Sequence, residues 1–166
     1  MKILILGHGR HGKDTAAEHL NKYFNVSFKS SSEFANEKVV FPVLAPVYGY
    51  KTAEQCFEDR AEHRDEWYTL IRHYNEDDRS RLCKQLMLES NMYVGMRCDE
   101  EYQASKHLFD LVIWVDASSR LDSDPTMKIQ FDRDEMMLLN NNSTPSAFLT
   151  NILVKFQFLN FLRIAA

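Results

Sequence analysis

The feature that most constrains this chain is Gly7-His8-Gly9-Arg10-His11-Gly12-Lys13, seven residues that close a short apolar run, Ile3 to Leu6. An apolar run without alternation suits a strand buried on both faces, as in a parallel sheet. From Lys13 the apolar residues Ala16, Ala17, Leu20, Tyr23 and Phe24 recur at helical spacing. Strand, glycine loop and helix in that order open a βαβ unit. The glycines allow the backbone to curl, so that successive N–H groups turn inward toward phosphate oxygens. Lys13 adds a point charge, and the helix N-terminus adds its dipole. The spacing G-x-x-x-x-G-K therefore predicts a phosphate-binding loop of Gly7, His8, Gly9, Arg10, His11, Gly12, Lys13, Asp14 and Thr15. The pattern expects Ser or Thr after the lysine to hold Mg²⁺, and here Asp14 stands there with Thr15 behind it. A carboxylate is a good ligand for a hard cation, and it also serves as a helix cap, so both roles are open for Asp14. His8 and His11 are expected to be exposed or to face phosphate.

The rest of the chain supplies further strands. The sequence predicts strands over Asn25–Phe28, Met92–Gly95, Leu111–Val115 ending in Asp116, and Met136–Leu139. Helices are expected from Ser30-Ser31-Ser32-Glu33, two or three within 54–88, one around Glu100–Lys106, and a last one capped by Thr144 and started by Pro145. In that last helix Phe148, Ile152, Phe156 and Leu159 make one apolar stripe. Pro42 and Pro46 are expected to break up the segment before the Tyr48-Gly49-Tyr50 turn. The polar, Pro125-containing stretch from Ser118 to Gln130 reads as a loop or lid. Together these predict an α/β class: a three-layer fold with a parallel five-stranded sheet and helices on both faces.

Composition narrows the partners. In 166 residues, 24 Asp plus Glu outweigh 20 Lys plus Arg, giving a net charge of -4. That balance disfavours a broad nucleic-acid footprint, though a local cluster of cations and N–H groups can still hold an anion. Cys56, Cys83 and Cys98 are odd in number with no C-x-x-C pair, so free thiols in a reducing cytoplasm are expected. The first apolar run is too short for a secretory-signal core. The segment from Phe148 to Ile164 is interrupted by Asn151, Lys155, Gln157 and Asn160, and falls short of the ~20 apolar residues of a membrane span. A soluble, cytoplasmic protein follows as the expectation.

With Gly12-Lys13-Asp14-Thr15 after an N-terminal strand, the chain resembles the bacteriophage deoxynucleoside monophosphate kinases and, more distantly, the phosphomevalonate kinases, which share a G-K-D loop. Ser30-Ser31-Ser32-Glu33-Phe34-Ala35 resembles the start of their acceptor-binding helix. Val94-Gly95-Met96-Arg97 resembles their strand ending in an arginine that grips the acceptor phosphate. Trp114-Val115-Asp116-Ala117 with Arg120 resembles the strand into their lid, and Asn140-Asn141-Asn142-Ser143-Thr144 the turn near the nucleotide base. The resemblance implies one P-loop kinase domain over 1–166, with an acceptor-binding helical region over about 30–90 and a lid over about 118–131. It implies ATP and Mg²⁺, small-molecule nucleotide substrates without nucleic acid or membrane, and a monomer or homodimer. Lys13, Arg97 and Arg120 are then the expected catalytic residues. Ser31, Phe34, Arg60, Arg64, Trp67 and Arg97 are expected at the acceptor, Asn141, Asn142 and Ser143 near the base, and Asp14 or Asp116 at the metal. Where relatives carry an acid two residues before the strand-end arginine, this chain has Gly95, which shifts the metal to those two aspartates. The expected reaction is ATP-dependent phosphorylation of a (deoxy)nucleoside monophosphate. A kinase acting on a hydroxymethylated base in phage DNA, or a non-catalytic nucleotide-binding module, are the alternatives.

Overall fold

The structure is a computed structural model that describes the backbone of residues 1–165 and the side chains of 1–159. Five strands, β1 (Ile3–Leu6), β2 (Phe28–Ser30), β3 (Met92–Val94), β4 (Leu111–Asp116) and β5 (Met137–Asn140), form one sheet in the order β2-β3-β1-β4-β5. All four pairings are parallel, with Ile3 opposite Met92 on one side and Leu111 on the other. β1 is thus the central strand, and its four residues are fully buried.

Side-chain alternation splits the core in two. Leu4, Leu6, Tyr93, Val112 and Trp114 face one layer, where they pack with Phe34, Trp67 and Leu86. Ile3, Ile5, Met92, Val94, Ile113 and Val115 face the other, against Ala16, Ala17 and Leu20 of α1 (Lys13–Phe24) and Phe148, Ile152 and Phe156 of the last helix. Parallel strands bury both faces, which is why β1, β3 and the run Leu111–Val115 of β4 carry no charged residue. The first layer is covered by the helical insertion: α2 (Ser31–Ala35), α3 (Phe41–Tyr48), α4 (Ala53–Glu58), α5 (Arg64–Tyr74) and α6 (Arg81–Glu89). A further helix, α7 (Asp99–Ser105), precedes β4, and α8 (Pro145–Ala165) closes the chain. The Ala147 N–H donates to Thr144 Oγ1 at 3.2 Å, the expected cap.

Several elements differ from expectation for identifiable reasons. The second strand starts at Phe28, because Asn25 adopts φ 52° as the C-cap of α1, its N–H bonded to Asn21 O. The third stops at Val94: the Gly95 N–H still donates to Ile5 O at 3.3 Å, and at φ +101° Gly95 turns the chain away after that bond. Pro42 and Pro46 do not break the helix. A π-helical segment, Asn36–Val40, runs directly into α3 and bonds the Phe41 N–H back to Asn36 O. The wider turn accommodates a proline that lacks an N–H and crowds the carbonyl four residues back. The fifth strand begins at Met137, since Met136 N–H is spent on a turn to Asp132 O at 2.9 Å. No described helix is long and apolar enough to cross a membrane.

Candidate functional site

Loop 7–12 leaves the central strand at the carboxyl edge of the sheet, where open α/β sheets present their ligand crevice. Gly7 holds φ +138°, and a Cβ there would stand 2.4 Å from Val115 O. Gly12 holds φ +99° against Asn141 Nδ2. Both positions need glycine, one for close packing on β4 and one for the left-handed entrance to α1. Lys13 is buried and donates from Nζ to His8 O at 2.7 Å, which curls the loop around its side chain. Burial, and then the Arg97 charge, push the Lys13 ammonium below its usual range, while Asp14 and Asp124 oppose that shift. Arg10, at φ 65°, is exposed at the loop tip. Asp14 and Thr15 are exposed on the first turn of α1.

The two loop histidines are not outward-facing. His11 is fully buried, and its Nδ1 accepts the Ala117 N–H at 3.0 Å. His8 is half-buried, and its Nδ1 accepts the Asp124 N–H at 3.1 Å. Both rings therefore brace the loop against the segment that follows β4. An accepting Nδ1 carries no proton, so each ring is held with its proton on Nε2. Burial pushes the His11 imidazolium down, with the His8 and Lys13 charges adding to it and Asp122 O and Asp116 opposing it.

On one side of the loop lies the asparagine turn. Asn141 Nδ2 donates to His11 O at 2.9 Å, and the Asn141 N–H donates to Asp116 O at 2.7 Å. Asn142 Nδ2 donates to Asp116 Oδ2 at 2.6 Å, while its Oδ1 accepts from Ser119 N and Oγ. Arg120 forks onto Asn141 O through Nε (2.8 Å) and Nη2 (2.7 Å). So Arg120 joins Asn141 and Asn142 at the expected base-proximal turn, rather than reaching Lys13 from a lid. Ser143 is exposed beside them. Asp116 is likewise engaged: burial pushes its carboxyl up, but Asn142, Ser118 and His11 outweigh this and hold it low.

On the other side stands Arg97, three residues past β3. Its Nη1 lies 3.0 Å from Asp124 Oδ2 and 2.5 Å from Thr126 Oγ1. Asp124, Thr126 and the Asp124-Pro125-Thr126 turn are functional candidates that sequence reasoning missed. An Asp before Pro and Thr is a turn signal, and Thr126 N–H indeed donates to Asp124 Oδ1 at 2.9 Å. Beneath Arg97, Tyr93 OH donates to Glu101 Oε1 at 2.9 Å.

The expected acceptor residues are not gathered. Ser31 is near the strand end, its Oγ 3.1 Å from where a Gly95 Cβ would be. Phe34 and Trp67 are core residues, 0% and 6% exposed, and Trp67 packs edge-on to Phe57. Arg60 lies 4.0 Å over the Phe57 ring and donates to Phe57 O, and Arg64 is exposed at the start of α5. Phe34 and Trp67 are buried because they lie on the apolar faces of helices laid on the sheet.

Among the described residues no group of three or more His, Cys, Asp or Glu side chains is arranged to hold a metal. Mg²⁺ does not require one, since it keeps several waters and takes one or two carboxylates plus phosphate oxygens. Asp14, exposed beside Lys13, fits that mode better than Asp116, whose oxygens accept from Asn142 and Ser118.

No family model matches this chain, and no curated protein matches it in sequence. Among solved structures it is similar to a shikimate kinase from Aquifex aeolicus vf5, at 14% identity over 95% of this chain and 96% of that one, with a TM-score of 0.48. That likeness is too loose to carry an argument. The five-stranded parallel α/β fold rests on the strand order and on the glycine loop that follows the central strand.

Proposed function

We propose that the protein is an ATP-dependent phosphotransferase acting on a nucleoside or deoxynucleoside monophosphate. The observation that carries the reading is the convergence of a buried Lys13 in a glycine loop with Arg97 at the end of the neighbouring strand. Transfer of a phosphoryl group leaves the protein little covalent work, so catalysis is positioning plus neutralisation of the oxygens in transit. Lys13, released from His8 O, supplies a charge to the terminal phosphates of the donor. The loop N–H groups and the start of α1 hold those phosphates in place. Arg97, just past β3 and held by Asp124 and Thr126, holds the phosphate of the acceptor. The turn of Asn141, Asn142 and Arg120 borders the loop on the opposite side and lies where the donor nucleoside would extend. Asp14 would be the protein carboxylate that holds magnesium, which would supply charge neutralisation at the phosphates.

An assay of ADP release from MgATP across the common ribo- and deoxynucleoside monophosphates tests the reading. Turnover with at least one acceptor is expected, and Lys13→Ala should lower kcat/KM on the order of a thousandfold. Absence of turnover with every acceptor, or near-full activity of Lys13→Ala, would refute it.

A further inference from the structure

Asp124 lies between the phosphate loop and Arg97, with only 15% of its side chain exposed. Two of the groups around its Oδ2, Arg97 and the Gly9 backbone, are ones that the proposed reading gives to phosphate. Oδ2 is 3.0 Å from the Arg97 guanidinium. The same oxygen lies over Gly9, only 2.8 Å from where a Cβ would stand. Burial raises its carboxyl, yet the Thr126 bonds, Arg97 and the Gly9 N–H together hold it below the usual range. Asp124 in turn opposes the lowering of Lys13, so its charge reaches the loop lysine as well. It is delivered by the backbone: the Asp124 N–H is bonded to His8 Nδ1, and the Lys128 N–H to Arg97 O at 2.9 Å.

We propose that Asp124 is an internal anion that competes for the phosphate cradle and thereby reserves it for polyphosphates. This rests on the reading of loop 7–15 as a phosphate site. A carboxylate tethered in place has an effective concentration on the order of millimolar or more, which a singly charged anion does not match. A polyphosphate carries several charges and also engages Lys13 and the loop N–H groups, so it displaces the carboxylate. Asp124 then loses Arg97 and Gly9, and the turn it closes with Thr126 is freed from the loop. The segment after β4 thus opens where the polyphosphate binds, the reverse of a lid that closes on it. The competition lowers apparent affinity by the cost of that displacement.

The probe is inorganic tripolyphosphate in EDTA, titrated calorimetrically into the wild type, Asp124→Asn and Lys13→Ala. Asparagine keeps the shape of the side chain and an Oδ1 acceptor for Thr126, and in place of Oδ2 it puts an uncharged amide that does not accept from Arg97. Asp124→Asn should bind about tenfold more tightly than the wild type, the effect of one close like charge removed. Hydrogen exchange supplies the second readout. In the wild type the amides of Asp124 and Thr126 should exchange faster when tripolyphosphate is saturating. Unchanged or weaker binding by Asp124→Asn, or unchanged or slower exchange at those amides, overturns the proposal. If the wild type does not bind at all, or Lys13→Ala binds equally well, the phosphate-loop reading itself fails and the proposal falls with it.

Discussion

Glu101 offers a quantitative test of the packing of α7 against β3. Its carboxyl sits on α7 with the OH of Tyr93 as its partner, and Tyr93 is 1% exposed. Burial raises the Glu101 carboxyl from 4.5 to about 7, against a smaller opposing effect of the Tyr93 bond. A carboxyl raised on folding favours the protonated native state. Its contribution is complete below pH 4.5 and is lost as pH rises through about 7. At about 1.4 kcal/mol per pH unit the gap sets a ceiling of about 3 kcal/mol. Glu101 keeps partial contact with solvent, which screens the charge, so the realised effect should be ~1–2 kcal/mol. Glu101→Gln retains an acceptor for Tyr93 and cannot ionise. In urea unfolding, wild type and variant should be about equally stable at pH 5, and the variant should be more stable by ~1–2 kcal/mol at pH 8. A stability difference that does not change with pH, or a variant less stable at pH 8, would show that the carboxyl is not desolvated as its surroundings require.

Other perturbations address the loop, the arginines and the core. Gly7→Ala forces a side chain into φ +138° and against Val115 O, so thermal unfolding should show a loss of about 3 kcal/mol or more, with phosphate binding abolished. Arg97→Ala should chiefly raise KM for the acceptor, because in the proposed reading its guanidinium, already anchored by Asp124 and Thr126, holds a phosphate present before reaction. Arg120→Ala should raise KM for ATP and change kcat by no more than about threefold, given its fork onto Asn141 O; a selective fall in kcat would return Arg120 to the transferring phosphate. Ile152→Ala empties a fully buried position between α8 and the sheet and should cost ~2–5 kcal/mol in urea or thermal unfolding.

The parts of the fold that were legible are those written in local periodicity. Continuous apolar runs marked β1 and β4, and the glycine loop fell between a strand and a helix as its spacing demands. Where local signals compete, neighbouring structure decided. Asn25 could continue a strand or cap a helix, and the end of α1 took it. Pro42 is a breaker in isolation, yet it stands in the first turn of α3, directly after a π-helical segment, where a missing donor costs little. The contacts that assemble the site are of another kind. His11 meets Ala117 across 106 residues and His8 meets Asp124 across 116, so no window of sequence reports that these imidazoles are acceptors buried in the loop's rear wall.

The arginines make the same point more sharply. Arg97 and Arg120 each follow a buried strand by three or four residues; the resemblance gave Arg97 to the acceptor phosphate and Arg120 to a lid, but the local sequence does not show which partners either one meets. The order β2-β3-β1-β4-β5 does. With β1 in the middle, the loop it launches is flanked by the end of β3 on one side and the end of β4 on the other. Arg97, coming off β3, meets Asp124 beside Lys13, whereas Arg120, coming off β4, meets the asparagine turn that β5 leads into. A chain with β3 and β4 exchanged about β1 would carry the same motifs at the same spacing and would swap the surroundings of its two arginines. Their different surroundings are therefore a property of topology, and under the proposed function kinetics of Arg97→Ala and Arg120→Ala report on strand order as directly as on chemistry.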